Sequence, residues 1–254
     1  MSKIVSVHSF RGGTGKSNTT ANLASLLAME GFRVGVVDTD INSPGIHVLF
    51  NFDEAEMVHS LNDYLWGKCS IKETAHDVSG RLGANIKGQI FLIPASIKAS
   101  EIARILREGY DVGLLNDGFR DVVKEMNLDF LMIDTHPGLN EETLLSIAIS
   151  DILIIILRPD NQDFQGTAVT VDIARSLDVS NLLLMVNKAV PNKYDYQDLK
   201  EQIERTYHAP LTGILPLSFD MAENASRDLF SLRFPDHEWS KELRKVAAAV
   251  LAVK

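Results

Sequence analysis

Six short apolar runs govern what this chain can fold into. Residues 4–7, 34–37, 90–93, 130–133, 152–157 and 182–186 are apolar on both alternating faces. A strand with two apolar faces has to be covered on both, which is the situation of a parallel sheet flanked by helices. The spans between the runs supply those helices. Leu23 and Leu27 stand four apart, as do Ala24 and Ala28, and Gly31 follows as a C-terminal stop. Residues 101–107 and 112–126 predict helices before the fourth strand, and Asn140 can cap another led by Glu141 and Glu142. Over 238–252, Trp239, Leu243, Val246 and Val250 repeat in a spacing that buries one helical face. The pattern predicts an α/β fold: a single doubly wound domain over residues 1–254, its sheet mostly parallel with helices on both faces.

Composition removes several function classes. The longest apolar runs, 152–157 and 246–253, fall well short of the ~20 residues of a membrane span. Residues 1–5 lack the pattern of a signal peptide and run straight into a strand. Cys69 is the single cysteine, so neither an internal disulfide nor a four-thiolate zinc or iron–sulfur site can form within the chain. These features predict a soluble cytoplasmic protein. The net charge is −9, and residues 1–181 carry all of it, with 24 acids against 15 bases. Residues 182–254 hold ten of each. Such a chain is poorly suited to wrapping nucleic acid over its whole surface, though a local basic patch near the C-terminus remains open.

The chemistry is concentrated in Phe10-Arg11-Gly12-Gly13-Thr14-Gly15-Lys16-Ser17, directly after the first strand and directly before the first helix. That is where a phosphate-binding loop sits. Glycines let backbone N–H groups turn inward around a phosphate, and the helix N-terminus adds its dipole. Lys16 then meets the β- and γ-phosphates as a point charge, and the Ser17 hydroxyl ligates Mg²⁺. Phe10 replaces the leading glycine of the general pattern. Asp134 ends an apolar strand beside this loop, where a carboxylate can hold Mg²⁺ through its water shell. Gly138 can let backbone approach a γ-phosphate, making residues 134–138 a sensor for it. Asp38 and Asp40 alternate in direction along an extended chain and should do different jobs, with turn capping as the alternative. The amide of Asn187 can match the adenine edge, or simply end its strand.

The loop resembles the deviant phosphate loop of the MinD/ParA family, written Lys-Gly-Gly-x-Gly-Lys-Ser/Thr. Val36-Val37-Asp38-Thr39-Asp40 resembles that family's first switch, and residues 130–138, ending Asp134-Thr135-His136-Pro137-Gly138, resemble its second. Leu184-Met185-Val186-Asn187-Lys188 is similar to the strand whose asparagine reads adenine, and Gly213-Ile214-Leu215-Pro216 to the turn that packs on the base. The motifs run in family order across residues 3–219. The resemblance implies a P-loop ATPase that binds ATP or ADP with Mg²⁺. It puts the phosphates against Arg11, Gly12, Gly13, Thr14, Gly15, Lys16, Ser17 and Asn18, and the base against Asn187 and Pro216. It makes Ser17 and Asp134 the metal holders, with Asp38 supporting the metal shell or the switch backbone. Asp40 orients or activates the attacking water, while Lys16 and Arg11 stabilise phosphate charge. It further implies a homodimer when ATP is bound, a cargo adaptor or activator protein that stimulates slow hydrolysis, and a surface such as the nucleoid. Such switches position or partition DNA, plasmids, protein assemblies or envelope machinery.

Arg11 departs from the family, because it stands where the signature lysine reaches across the dimer. Arginine keeps the charge but not the geometry. This opens a rival reading: a nucleotide-sensing module that binds ATP, hydrolyses it negligibly and controls a partner protein. The apolar face of helix 238–252 is needed by the sheet, so membrane attachment is not expected. Any non-specific DNA contact is expected at Arg227, Arg233, Lys241, Arg244, Lys245 and Lys254. The histidines are scattered, with His136 read as a local variant of the second switch. Trp239 reads as core, whereas Tyr64 and Trp66, which follow the first switch, read either as core or as the region that in the family adjusts to partners.

Overall fold

The computed structural model describes residues 2–253. Its strands are β1 (Lys3–His8), β2 (Arg33–Asp38), β3 (His76–Asp77), β4 (Gln89–Ile93), β5 (Phe130–Asp134), β6 (Ile152–Leu157), β7 (Leu182–Ala189) and β8 (Leu211–Pro216). They form one sheet in the order β3-β4-β2-β5-β1-β6-β7-β8, every pairing parallel except that of β3 with β4. The six doubly apolar runs are the cores of β1, β2, β4, β5, β6 and β7, so the expected doubly wound architecture holds. Two strands lay outside that expectation. The short β3 makes the strand ending at Asp134 the fifth rather than the fourth. β8 extends back from the turn expected at 213–216 and closes the far edge.

Helices cover both faces. On one side lie α1 (Lys16–Met29), α2 (Ile46–Leu49) and, later in the chain, a pair that packs with α1, Phe230–Arg233 and Glu238–Ala252. On the other, Leu61–Leu65 is α3, Ala99–Glu108 is α4 and Gly113–Glu125 is α5; these back β2, β4 and β5. Glu141–Ala148 is α6, Asn161–Ser176 is α7 and Tyr196–Tyr207 is α8, behind β6, β7 and β8. Phe219–Asn224 is then α9, which makes Phe230–Arg233 α10 and Glu238–Ala252 α11. Leu23, Ala24, Leu27 and Ala28 are all fully buried on α1, each leucine contributing about 1.5–3 kcal/mol by that burial. The helix stops at Gly31, whose φ of +110° suits glycine. Gly31 N–H donates to Ala28 O at 3.1 Å and Phe32 N–H to Leu27 O at 3.3 Å, the paired bonds of a Schellman ending. Asn140 caps α6 as expected, its side chain accepting from Thr143 N–H at 2.9 Å.

Seven strands running the same way place the loops after β1, β2, β5, β7 and β8 at one edge of the sheet. The chain leaves β1 toward β2 on one side and later crosses to β6 on the other. A sheet of this kind opens its ligand crevice at the carboxyl ends around such a switch point.

Candidate functional site

The loop between β1 and α1 is shaped by two left-handed glycines, Gly13 at φ +76° and Gly15 at φ +93°. Gly15 is doubly constrained, because a Cβ there would run into Asn187 Nδ2. The end of β7 clamps the loop from that side. Asn187 Nδ2 donates to Thr14 O at 2.7 Å, and Lys188 Nζ donates to Gly13 O at 2.7 Å. In front of the loop lies a cavity of about 380 Å³ lined by residues 12–18 together with Ser9, Asp40, Ser43, His136 and Pro137. A second cavity of about 220 Å³ is lined by Asn187, Pro216, Leu217, Met221 and Trp239. Gly15 and Asn18 belong to both. One polar chamber against a glycine loop thus opens beside one largely apolar chamber.

Beneath the loop, Lys16 Nζ meets Asp134 Oδ1 at 3.0 Å, both side chains buried, and Thr20 Oγ1 donates to the same oxygen at 3.2 Å. β2 pairs with β5 so that Asp38 stands opposite Asp134. Burial, then the Asp134 charge, pushes the Asp38 carboxyl up to about 7, against the backbone N–H of Gly45, the Lys16 charge and Ile46 N–H. Asp38 accepts from Asp40 N–H at 3.0 Å on one oxygen, and from Gly45 at 3.0 Å and Ile46 at 3.3 Å on the other. Its carboxylate therefore shapes the 38–46 turn. Thr39 donates twice to Asp134 O, from N at 3.0 Å and from Oγ1 at 2.9 Å. Asp40 accepts from Ser43 N–H at 3.2 Å and faces His136 Nε2 at 3.7 Å. Burial raises its carboxyl, and the charges of His136 and Lys16 oppose that.

Among the described residues, no three His, Cys, Asp or Glu side chains cluster to hold a metal by themselves. The Ser17 hydroxyl in the cavity and the Asp134 carboxylate beneath it are nonetheless hard oxygen donors. That set suits Mg²⁺ when phosphate and water complete the shell.

The structure brings most of the sequence-selected residues together and sets three apart. Arg11 points away from the phosphate cavity into a groove with Phe10, Gln165, Gly166 and Val169. It hydrogen-bonds Gln162 and lies 3.9 Å from Asp163, both on its own α7. The Asn187 amide is engaged by Thr14 O and by Lys188 N–H, at 2.9 Å, rather than facing the second cavity unpaired. Asp38 is buried behind the turn it caps. Of the C-terminal bases, Arg233 pairs with Asp228, Lys245 pairs with Glu242 and Arg244 donates to Pro235 O; Lys254 lies outside the described residues. Tyr64 and Trp66 pack, partly buried, against the α5 side of the core, the packing role among the two readings open for them. Trp239 is core and also lines the second cavity. Sequence reasoning set His136 aside as a local variant of the second switch, whereas it shares the cavity with Lys16 and Asp40. That reasoning passed over His8, buried under the loop with Nδ1 2.9 Å from Thr135 Oγ1.

Residues 2–181 match the family model described as an AAA domain. An uncharacterised ATP-binding protein of Methanocaldococcus jannaschii is 26% identical over 257 residues, spanning 100% of this chain and 89% of its own. The septum site-determining protein MinD of Synechocystis sp. is 24% identical over 220 residues, spanning 85% of this chain and 76% of its own. MinD of Pyrococcus horikoshii, solved in complex with Mg-ADP, superposes with a TM-score of 0.79 at 19% identity, spanning 98% of this chain and 96% of that one. With its family match over residues 2–181, the chain belongs to the AAA domain family, among relatives of the MinD type.

Proposed function

We propose that this chain is one switch-ATPase domain over residues 1–254, binding ATP with Mg²⁺ and hydrolysing it slowly to position or partition cellular cargo. The observation that carries the reading is the pair of chambers joined at Gly15 and Asn18. The polar one suits a triphosphate and the apolar one a base. The loop glycines present N–H groups to the phosphates, and Lys16 exchanges its Asp134 contact for the β- and γ-oxygens. Ser17 and Asp134 would hold Mg²⁺, which when bound neutralises charge between those phosphates. Asp40 orients the attacking water, while Asp38 keeps the loop that carries Asp40 in shape. Asn187 reads adenine by giving up Thr14 O, so base binding and loop release are coupled. Arg11, freed from α7, reaches the phosphates of a second copy in an ATP-bound homodimer, which then engages an adaptor protein and a surface such as the nucleoid. The absence of any helix long and apolar enough to cross a membrane among the described residues is compatible with that cytoplasmic setting.

One observation favours a second reading. Arg11 is held by Gln162 and Asp163 of its own chain, which suits a module that binds ATP and signals without turnover. Purified protein with excess ATP and Mg²⁺, assayed for phosphate release with and without DNA, separates the two. Slow release, faster with a partner surface, is the expected result. Bound ATP with no release selects the sensing module.

A further inference from the structure

Two neighbouring side chains at the end of β7 reach the same loop, which a regular strand does not allow. Successive side chains of a strand point to opposite faces. Here Asn187 Nδ2 donates to Thr14 O and Lys188 Nζ to Gly13 O, each at 2.7 Å. A bulge makes this possible. Val186 stands opposite Ile214 and Ala189 opposite Pro216, so three steps along β7 face two along β8. Lys188 sits within the bulge at φ +58°, a left-handed backbone that a lysine adopts at a cost. It is an exposed residue, so no core packing holds it in that conformation. Strain of this kind persists where the surroundings over-determine it, and it gathers where a chain meets its ligand. The ammonium is tied to the loop, and Lys188 also lines the apolar chamber with Pro216, Met221 and Trp239. Its four methylenes therefore run from the end of β7 to Gly13 O beside that chamber.

We propose that Lys188 positions the base: its stem is one wall of the base chamber, and its ammonium ties that wall to the phosphate loop. This rests on the nucleotide-binding reading above and adds to it a residue outside the motifs. A lysine keeps its charged head on a polar partner while its stem covers apolar surface. Pro216, Met221 and the Lys188 stem together offer such surface to a planar ring, whose faces need no hydrogen bond. The tie also outlasts its neighbour. When Asn187 turns its amide to the base, Thr14 O is released while Lys188 still holds Gly13 O. The loop then keeps its shape around the phosphates, and the base rests on the side chain that holds it.

The test uses the full chain with ADP and Mg²⁺, following ADP affinity by calorimetry and stability by urea unfolding in K188M and K188G. Neither variant can tie Gly13 O, but K188M keeps a stem of similar length and K188G has none. Glycine suits the left-handed backbone and methionine does not. Affinity and stability should therefore rank the two variants in opposite order. ADP affinity is expected to fall about threefold in K188M for the lost hydrogen bond, and about tenfold or more in K188G, which loses the stem as well. K188G should nonetheless unfold at a urea midpoint no lower than that of K188M. K188G that binds ADP as tightly as K188M, or more tightly, overturns the wall, and K188M that binds like wild type overturns the tie. Affinity and midpoint falling together, both furthest in K188G, mark a purely structural residue and overturn the role as well. Wild type that binds no ADP instead overturns the nucleotide-binding reading itself, and the role of Lys188 with it.

Discussion

Lys16 and Asp134 neutralise each other in a buried setting at 3.0 Å, so each depends on the other until a phosphate arrives. Lys16→Ala should lower ATP affinity by at least about tenfold, or ~1.4 kcal/mol. It should also lower stability by about 3–5 kcal/mol, because it leaves a buried carboxylate unpaired. Titration calorimetry and urea unfolding check the two effects. His8 gives a pH signature. Burial first, then the Lys16 and His136 charges, lowers its pKa from 6.5 to about 3. The unfolded chain takes up that proton near 6.5 while the folded chain refuses it down to about 3. The stability His8 contributes is therefore present in full above 6.5 and is lost as pH falls through that window. His8→Asn keeps a polar atom toward Thr135 and lacks this titration. Its urea midpoint should fall less between pH 7 and 4 than that of wild type, and parallel curves would clear His8 of the effect. Neither His8 nor the threonines around Asp134 stood out in the sequence. Their importance comes from what the sheet register puts opposite them, and a residue list carries no register.

At the scale of elements, legibility followed apolar content. β1, β2, β4, β5, β6 and β7 announce themselves because both faces are buried. β3 is two polar-leaning edge residues, and β8 is broken by Gly213 and ended by Pro216, so neither carries the signal. The same Gly213 explains how α11 sits down on β8. A Cβ there would lie 2.9 Å from Val246 Cγ2 and 3.3 Å from Glu242 O, both on that helix. Gly213→Ala should therefore cost about 1–3 kcal/mol by overpacking, read as a lowered denaturation midpoint with an unchanged slope. The site elements divide in the same way. The glycine loop and the strand-end acids were readable from local spacing. The hold of α7 on Arg11 was not, because Gln162 and Asp163 lie some 150 residues from it and belong to no motif.

For the whole molecule, the question is what two copies do together. Arg11→Ala should leave monomeric ATP affinity within a few fold and abolish ATP-dependent dimerisation, since the cavity in front of the loop is built without Arg11. Arg11→Lys should restore part of it, limited by the lost fork. Light scattering with a slowly hydrolysed ATP analogue decides, and undiminished dimers of the alanine variant would mean another residue joins the halves. The stitch between β2 and β5 has a consequence at this scale. Thr39 gives both of its hydrogens to the carbonyl of Asp134, at the point where the two strands part into their loops. The loops after β2 and β5 are thus riveted together at their roots. A pull on either loop is therefore felt at the root of the other, through two hydrogen bonds to one carbonyl oxygen.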